Sequence, residues 1–150
     1  MPEKETVERA HEDAREGKSP STQAGEFVRE EMHHIREGKH GAASPQQAIA
    51  IGLSKARRAG VKLKAPAKGK ASSEVREKAE RDLEKASSHS KPSARRSRGV
   101  KRALKRKGHA AASHASLSRQ ARSSARKRGA TSRRQAAQKA ARTRARRSRS

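Results

Sequence analysis

Histidine and glutamate side chains cluster in one short stretch of the sequence, and both types bind metal ions and exchange protons. The cluster comprises Glu30, Glu31, His33, His34, Glu37 and His40. On a helix, residues four apart such as Glu30 and His34 share one face. This spacing supplies no third ligand, and the HExxH motif of zinc metalloproteases is absent. We therefore predict no metal site and interpret the histidines as polar residues near a helix end.

Motifs for nucleophilic catalysis and nucleotide binding are missing. The serines occur in basic, helix-capping or linker settings, and no G-x-S-x-G elbow is present. The sequence also contains no P-loop and no dinucleotide-binding glycine fingerprint. We predict that the protein is not an enzyme, has no catalytic residues and needs no cofactor.

Lysine and arginine carry the strongest chemical signal. They number 40 against 15 Asp and Glu, which gives a formal net charge of +25. The last acid is Glu84, and residues 85–150 contain 23 bases. One guanidinium group can donate two hydrogen bonds to a phosphate group. Binding of a basic segment to a duplex also releases counterions, which favours the complex. The sequence predicts sequence-independent DNA binding, of the nucleoid-associated or histone-like type, through residues 93–150, here called the basic tail.

The predicted phosphate contacts all lie in the basic tail. They are Arg95, Arg96, Arg98, Lys101, Arg102, Lys105, Arg106, Lys107, Arg119, Arg122, Arg126, Lys127, Arg128, Arg133, Arg134, Arg142, Arg144, Arg146 and Arg147. Proteins that bind single strands usually stack bases on aromatic side chains, and Phe27 is the only aromatic residue here. A DNA duplex is therefore the favoured partner, and structured RNA remains open. Outside the tail, the candidate partner contacts are Arg57, Arg58, His33 and His34.

Composition limits the size of any folded core. Hydrophobic residues make up 29% of the chain, and 28 of them are Ala. A packed domain is about 45–50% apolar, and low hydrophobicity with high net charge is typical of disorder or of folding on a partner. We expect the basic tail to be largely disordered or conditionally helical. No apolar stretch approaches the roughly 20 residues of a membrane span, so we predict no membrane partner and a cytoplasmic, nucleoid-associated location.

Helical patterns separated by prolines and glycines predict an all-α fold with four regions. They are a charged N-terminal helix and linker (1–20), a helical hairpin (21–64), a basic linker and charged helix (65–92) and the basic tail (93–150). The hairpin has too few large apolar side chains to be stable alone. We expect it to pack against another helix, a second copy of the chain or a protein partner.

The first two helices are predicted from their apolar spacing and their ends. A polar helix extends from Pro2 to about Glu16, and Lys18–Pro20 is interpreted as a linker. Ser21 or Thr22 is expected to cap the next helix. Its apolar stripe consists of Ala24, Phe27, Val28, Met32 and Ile35.

The second hairpin helix has signals at both ends. Ser44 is expected to accept a hydrogen bond from the Gln47 amide while the Gln47 side chain returns one to Ser44, and Pro45 suits the first helical position. Gly60 is expected to end the helix, with Val61 folding back in a Schellman motif. A further charged helix is predicted over residues 74–85, capped by Ser73.

Residues 31–60, EMHHIREGKHGAASPQQAIAIGLSKARRAG, resemble a small bacterial protein family of uncharacterised function. That family has a His-bearing helix, a Lys-His-Gly break and a second helix close to QAIAI-x-L-S-x-A-R-x-A-G. The resemblance implies a helical hairpin and a bacterial or phage-like source, but no activity. The short GAASP connection departs from the Gly/Ser-rich insert that family members often have.

The basic tail separately resembles bacterial linker-histone-like proteins in composition, although Arg dominates Lys and Lys-Ala-Ala-Pro repeats are absent. This likeness agrees with DNA binding. The alternative is a protein-interaction module whose tail only localises it to nucleic acid.

Overall fold

Helices form all the regular structure in the computed structural model, which describes residues 2–88 and 93–148. In chain order they are α1 (Lys4–Arg15), α2 (Pro20–Arg36), α3 (Pro45–Arg58), α4 (Ser73–Ser88), α5 (Ala94–Lys105), a short 3-10 helix (Ala110–Ala112), α6 (His114–Lys127) and α7 (Gly129–Arg147). An isolated bridge joins Lys68 and Ala71. The predicted all-α class is confirmed. Within the described residues, no helix combines the length and apolar character needed to cross a membrane.

The chain divides into two compact units, residues 1–113 and 114–150. We call them the first unit and the second unit. The hairpin that the sequence predicts is present in the first unit, where α2 and α3 pack against each other. The first 21 residues of the basic tail, 93–113, also belong to the first unit.

The start of α2 differs from the prediction. Ser19, rather than Ser21 or Thr22, is the N-cap, and its Oγ accepts a hydrogen bond from the Thr22 amide at 3.4 Å. Pro20 is the first helical residue and not part of a linker. Proline suits that position because its φ is already helical and the amide it lacks would have no partner there. The serine that precedes the proline is therefore the better cap.

Both ends of α3 follow local rules. Ser44 Oγ accepts a hydrogen bond from the Gln47 amide at 3.2 Å, which confirms the predicted cap. The Gln47 side chain, however, accepts from the Ala43 amide at 2.7 Å and not from Ser44. At the other end, Gly60 has a φ of 94° and the Val61 amide donates to Ala56 at 3.1 Å. This is the predicted Schellman motif, in which glycine tolerates the left-handed conformation.

The apolar stripe of α2 faces the core of the first unit. Phe27 and Ile35 have 0% of their surface exposed. Ala24 and Met32 are also buried, while Val28 is half-buried. The stripe that the three- and four-residue spacing predicts is thus confirmed.

Small residues let α1 and α3 approach α2 closely. Ala10 of α1 is buried, and Ala48, Gly52 and Ala56 form a buried row along α3 at four-residue spacing. A Cβ at Gly52 would lie 2.7 Å from the Cα of Val28, so only glycine fits this contact between helices. Because α1 packs on α2, a helix of the same chain covers part of the hairpin.

The charged helix α4 packs on α3 and starts one residue earlier than predicted. Ser72, rather than Ser73, accepts a hydrogen bond from the Val75 amide at 3.4 Å. Among the residues of α4 whose burial is described, Ala79 alone is buried, with 4% of its surface exposed. The apolar contact of α4 with the rest of the first unit is therefore small.

In the second unit, α6 and α7 pack against each other. Neither helix has a buried residue. Leu117, the only large apolar residue of this unit, is half-buried. Ala and Arg are good helix formers, so intrinsic preference supplies much of the stability that packing does not.

Candidate nucleic-acid interface

The bases of α5 form a stripe along one face. Arg95, Arg98, Arg102, Lys105 and Arg106 recur at helical spacing, and all are exposed. At about 100° per residue they fall within a sector of about 100°. The stripe is about 16 Å long. It therefore places five positive charges on one side of α5, where they can contact phosphate groups.

A second basic stripe lies on α6, and bases surround α7. Arg119, Arg122 and Arg126 share one face of α6, whereas its half-buried residues lie on the other side. The predicted contacts on α7 are all exposed, namely Arg133, Arg134, Arg142, Arg144, Arg146 and Arg147. The other predicted contacts of the tail are exposed as well, namely Arg96, Lys101, Lys107, Lys127 and Arg128. Every predicted phosphate contact is thus accessible.

The charge of the second unit has one sign. Its sequence, residues 114–150, contains 13 Lys and Arg and no Asp or Glu. Since no carboxylate follows Glu84, the second unit has no anionic side chain of its own that could neutralise these bases. Phosphate groups of a nucleic acid would supply the missing charge.

Part of the predicted tail is anchored to the hairpin by its main chain. The Gly41 amide donates to the Leu104 carbonyl at 3.0 Å, and the Ala42 amide donates to the Gly108 carbonyl at 3.2 Å. A Cβ on Gly41 would lie 1.9 Å from the Lys107 carbonyl oxygen. The connection between α2 and α3 therefore needs glycine here to accept the end of α5.

The 3-10 helix continues this attachment. Ala111 and Ala112 are buried, and Arg36 Nε donates to the Ala112 carbonyl at 2.9 Å. The segment 104–112 is consequently a fixed part of the first unit. No local sequence pattern signals this docking, because it joins residues more than 60 positions apart.

The arginines at the end of α3 differ in accessibility. Arg57, a predicted partner contact, has 6% of its surface exposed, and its Nε donates to the Leu63 carbonyl at 3.2 Å. Burial lowers the pKa of its guanidinium. Arg57 therefore holds the chain that follows α3 and has little surface left for a partner. Arg58 is exposed and forms an ion pair with Asp82 of α4 at 3.0 Å.

The two predicted histidine contacts also separate. His33 is exposed, whereas only 12% of the His34 side chain is. His34 belongs to a group of charged and polar side chains between α1, α2 and α3, here called the ionic cluster. Its members are Glu3, Glu30, Glu31, His34, Lys39, His40 and Lys55.

Two buried carboxylates and one lysine form the centre of the ionic cluster. Glu30 has 4% and Glu31 has 0% of its surface exposed. Lys55 Nζ, from α3, lies 3.3 Å from Glu30 Oε1 and 2.7 Å from Glu31 Oε2. An isolated buried carboxylate is costly, so the ammonium group compensates these charges. It also links α2 to α3.

The histidines flank this centre. His40 Nε2 lies 3.1 Å from Glu31 Oε1, and its Nδ1 lies 3.2 Å from the Gly41 carbonyl oxygen. His34 Nε2 lies 2.9 Å from Glu3 Oε1. Each imidazole thus has one ring nitrogen beside an oxygen acceptor outside the cluster centre.

Glu3, which precedes α1, closes the cluster. Its amide donates to Glu30 Oε2 at 3.1 Å, and its carboxylate accepts from His34 and, at 3.3 Å, from Lys39. These hydrogen bonds, that from His34 first, lower the pKa of Glu3. The N-terminal helix is tied to the hairpin through this residue.

One ligand atom from each of Glu31, His34 and His40 lies within 4.8 Å of the others. Spacing along a single helix does not bring these three residues together. His40 joins the group from the connection after α2, and that contact depends on the tertiary fold. The usable signal was Glu31 and His34 one turn apart, with a histidine just beyond the helix end.

Comparisons of the chain with protein-family models, with curated proteins and with solved structures found no match. The resemblance of residues 31–60 to a bacterial family stays a prediction. The function is therefore argued from the charges and contacts of this molecule.

Proposed function

We propose that the protein binds nucleic-acid duplexes, DNA foremost, without sequence preference, in the manner of a nucleoid-associated or histone-like protein of a bacterium. The exposed basic stripes of α5 and α6, in a sequence region without any carboxylate, carry this proposal. Phosphate contacts position a protein on a duplex but convey no sequence information.

The shape of the interface supports backbone contact over base readout. The bases of α7 surround the helix, so no single face is adapted to a groove. The only aromatic side chain, Phe27, is fully buried and cannot stack on a base. Arginine and lysine spaced along helices instead suit the regular phosphates of a duplex.

The helices of the second unit should depend on this partner. Like charges one turn apart destabilise a helix, and α7 gains no compensation from burial. Phosphates would remove the repulsion. We therefore expect helical content, measured by far-UV circular dichroism, to rise when duplex DNA is added at low salt.

The alternative, an interaction module in which the hairpin recognises a protein, has less support. The hairpin already packs against α1, α4 and the 3-10 helix of the same chain. Among the predicted hairpin contacts, Arg57 is buried and His34 is hydrogen-bonded within the ionic cluster.

The salt dependence of binding tests the proposal on the full chain. If about ten bases each neutralise one phosphate, the slope of log K against log salt on duplex DNA is about −9. Fluorescence anisotropy with two unrelated duplexes should give this slope and similar affinities for both. A slope shallower than about −3 would contradict the proposal, and a strong preference for one duplex would indicate base readout.

Charge-matched variants localise the interface. Replacing Arg119, Arg122 and Arg126 with Gln should weaken binding to both duplexes and reduce the slope by about 2.7, at about 0.9 per phosphate contact. The control replaces three exposed lysines after α3, namely Lys62, Lys64 and Lys68, with Gln. An equal loss of affinity in the control would show that net charge alone, and not the position of the α6 stripe, determines DNA binding.

A further inference from the structure

We propose that Glu31, His34 and His40 bind one transition-metal ion, with Zn²⁺ as the expected ion. Their ligand atoms converge to within 4.8 Å, and they come from α2 and from the connection that follows it. The proposal does not depend on nucleic-acid binding.

The hydrogen bonding of His40 points to a cation. The Gly41 carbonyl can only accept, so the His40 Nδ1 beside it, at 3.2 Å, carries a proton. The other ring nitrogen, Nε2, then lies 3.1 Å from Oε1 of the buried Glu31 carboxylate. A metal ion near both atoms could bind an unprotonated Nε2 and this carboxylate together. Ligating histidines typically donate their other N–H to a carbonyl or carboxylate, as His40 does here.

His34 shows the same arrangement. Its Nε2 faces the carboxylate of Glu3 at 2.9 Å, an acceptor outside the proposed site. This contact leaves Nδ1 as the nitrogen for a metal ion. A carboxylate behind a ligating imidazole fixes the ring and raises its basicity. Glu3 would therefore act as a positioning residue for His34.

Glu31 supplies the third ligand from a fully buried position. Both of its carboxylate oxygens lie near cations or nitrogen atoms, yet neither takes part in a hydrogen bond of normal geometry. Lys55 Nζ lies 2.7 Å from Oε2, whereas His40 lies near the other carboxylate oxygen, Oε1. Coordination through Oε1 thus leaves the ion pair with Lys55 intact.

The donor set selects the class of metal. Two imidazole nitrogens and one carboxylate oxygen suit Zn²⁺ and its neighbours, whereas Mg²⁺ and Ca²⁺ prefer oxygen ligands alone. In a tetrahedral site with bonds of about 2.0–2.1 Å, ligand atoms lie about 3.3 Å apart. The ligand atoms, which here lie within 4.8 Å of one another, must therefore move slightly closer together when they bind the ion. His40 lies outside the helices and is the residue best placed to move.

Metal binding would stabilise the attachment of the basic segment. His40 immediately precedes Gly41, whose amide binds the Leu104 carbonyl. An ion that joins His40 to α2 would hold this connection against the helix. We expect bound Zn²⁺ to raise the thermal midpoint of unfolding of the first unit, because a ligand that binds only the folded state stabilises it.

The test is Zn²⁺ binding by the full chain, freed of metal by chelator, at about pH 7.5. Competition with a chromophoric chelator should show one site per chain. His40→Gln and Glu31→Gln should each weaken it by more than about tenfold. The matched control is His33→Gln, since His33 is exposed on the same helix and outside the group. This variant should bind as the unmodified chain does.

Co²⁺ absorption gives a second measurement, because a four-coordinate site produces intense visible bands that surface binding does not. Loss of these bands in Glu31→Gln, with unchanged far-UV circular dichroism, would support the site even if His40→Gln failed to fold. The proposal is overturned if no saturable one-to-one binding is found. It is equally overturned if His33→Gln weakens binding as much as Glu31→Gln does.

Discussion

The first and second units are both helical, but different interactions hold them. In the first unit, α2 buries Phe27 and Ile35 completely and places Glu30 and Glu31 beside Lys55. In the second unit, α6 and α7 have no buried residue, and the sequence provides no acid. The apolar and acidic residues of the first unit therefore yield a packed core, and their scarcity in the second unit leaves two thinly packed helices.

This difference separates two roles. All 15 acids occur before residue 85, so the first unit neutralises part of its own positive charge and is organised internally. The second unit contains 13 bases and no Asp or Glu. An external polyanion could compensate this charge, which is why we propose that the main nucleic-acid contacts lie there and in α5.

The largest effect should come from removing the core of the first unit. Phe27→Ala deletes a fully buried ring, and such truncations cost about 3–5 kcal/mol because a cavity remains. Urea unfolding followed by circular dichroism should show a strongly lowered midpoint. The matched variant is Leu117→Ala in the half-buried position of α6, which should leave this midpoint unchanged. Equal effects of both substitutions would show that the two units unfold together and would remove the contrast between them.

The second effect concerns the attachment of residues 104–108 to the hairpin. Gly41→Ala places a Cβ 1.9 Å from the Lys107 carbonyl oxygen, so the segment must move. Overpacking of this kind costs about 1–3 kcal/mol. Hydrogen exchange at the Gly41 and Ala42 amides should become faster, since both donate to this segment.

Gly99→Ala is the control for this substitution. A Cβ at Gly99, within α5, would meet no atom within 4 Å, and alanine there should stabilise the helix by about 0.5–1 kcal/mol. If Gly41→Ala proved as harmless as Gly99→Ala, the docking of the basic segment would be refuted.

Local signals predicted the helices well, and their failures have local causes. Ser44 with Pro45, and Gly60 with Val61, set the ends of α3 as expected, because caps depend on neighbouring residues alone. The start of α2 was misjudged because several hydroxyl side chains stand close together. Only the preference of Pro20 for the first helical position decides between them.

Contacts between residues on different helices could not be predicted from the sequence. Glu31 is charged and would ordinarily be placed on the surface, and its burial depends on Lys55, which lies 24 residues away on another helix. The contact of Gly41 with Leu104 joins the hairpin to a region that composition assigned to the tail. In both cases the deciding interaction forms only after the helices pack.

The smallest effect should arise from a single exposed ion pair in α4. Such pairs require carboxylates, which the first unit has and the sequence of the second unit lacks. Lys78 forms an ion pair with Glu74, and its hydrogen bond lowers the pKa of the Glu74 carboxyl from the usual 4.5. The two side chains lie one helical turn apart. Arg81, by contrast, donates at 3.3 Å to the main-chain carbonyl of Glu77.

A lowered carboxyl pKa means that the folded state favours the ionised form of Glu74. Its contribution to stability is present above the unfolded pKa and is lost as the pH falls through the lower, folded value. Glu74→Gln should therefore reduce the urea midpoint slightly at about pH 7, and this effect should fade as the pH falls through the folded pKa, where unmodified Glu74 becomes protonated as well. Glu80→Gln, an exposed glutamate on the same helix, removes the same charge. A pH-dependent loss of equal size in Glu80→Gln would assign the effect to net charge and not to the pair with Lys78.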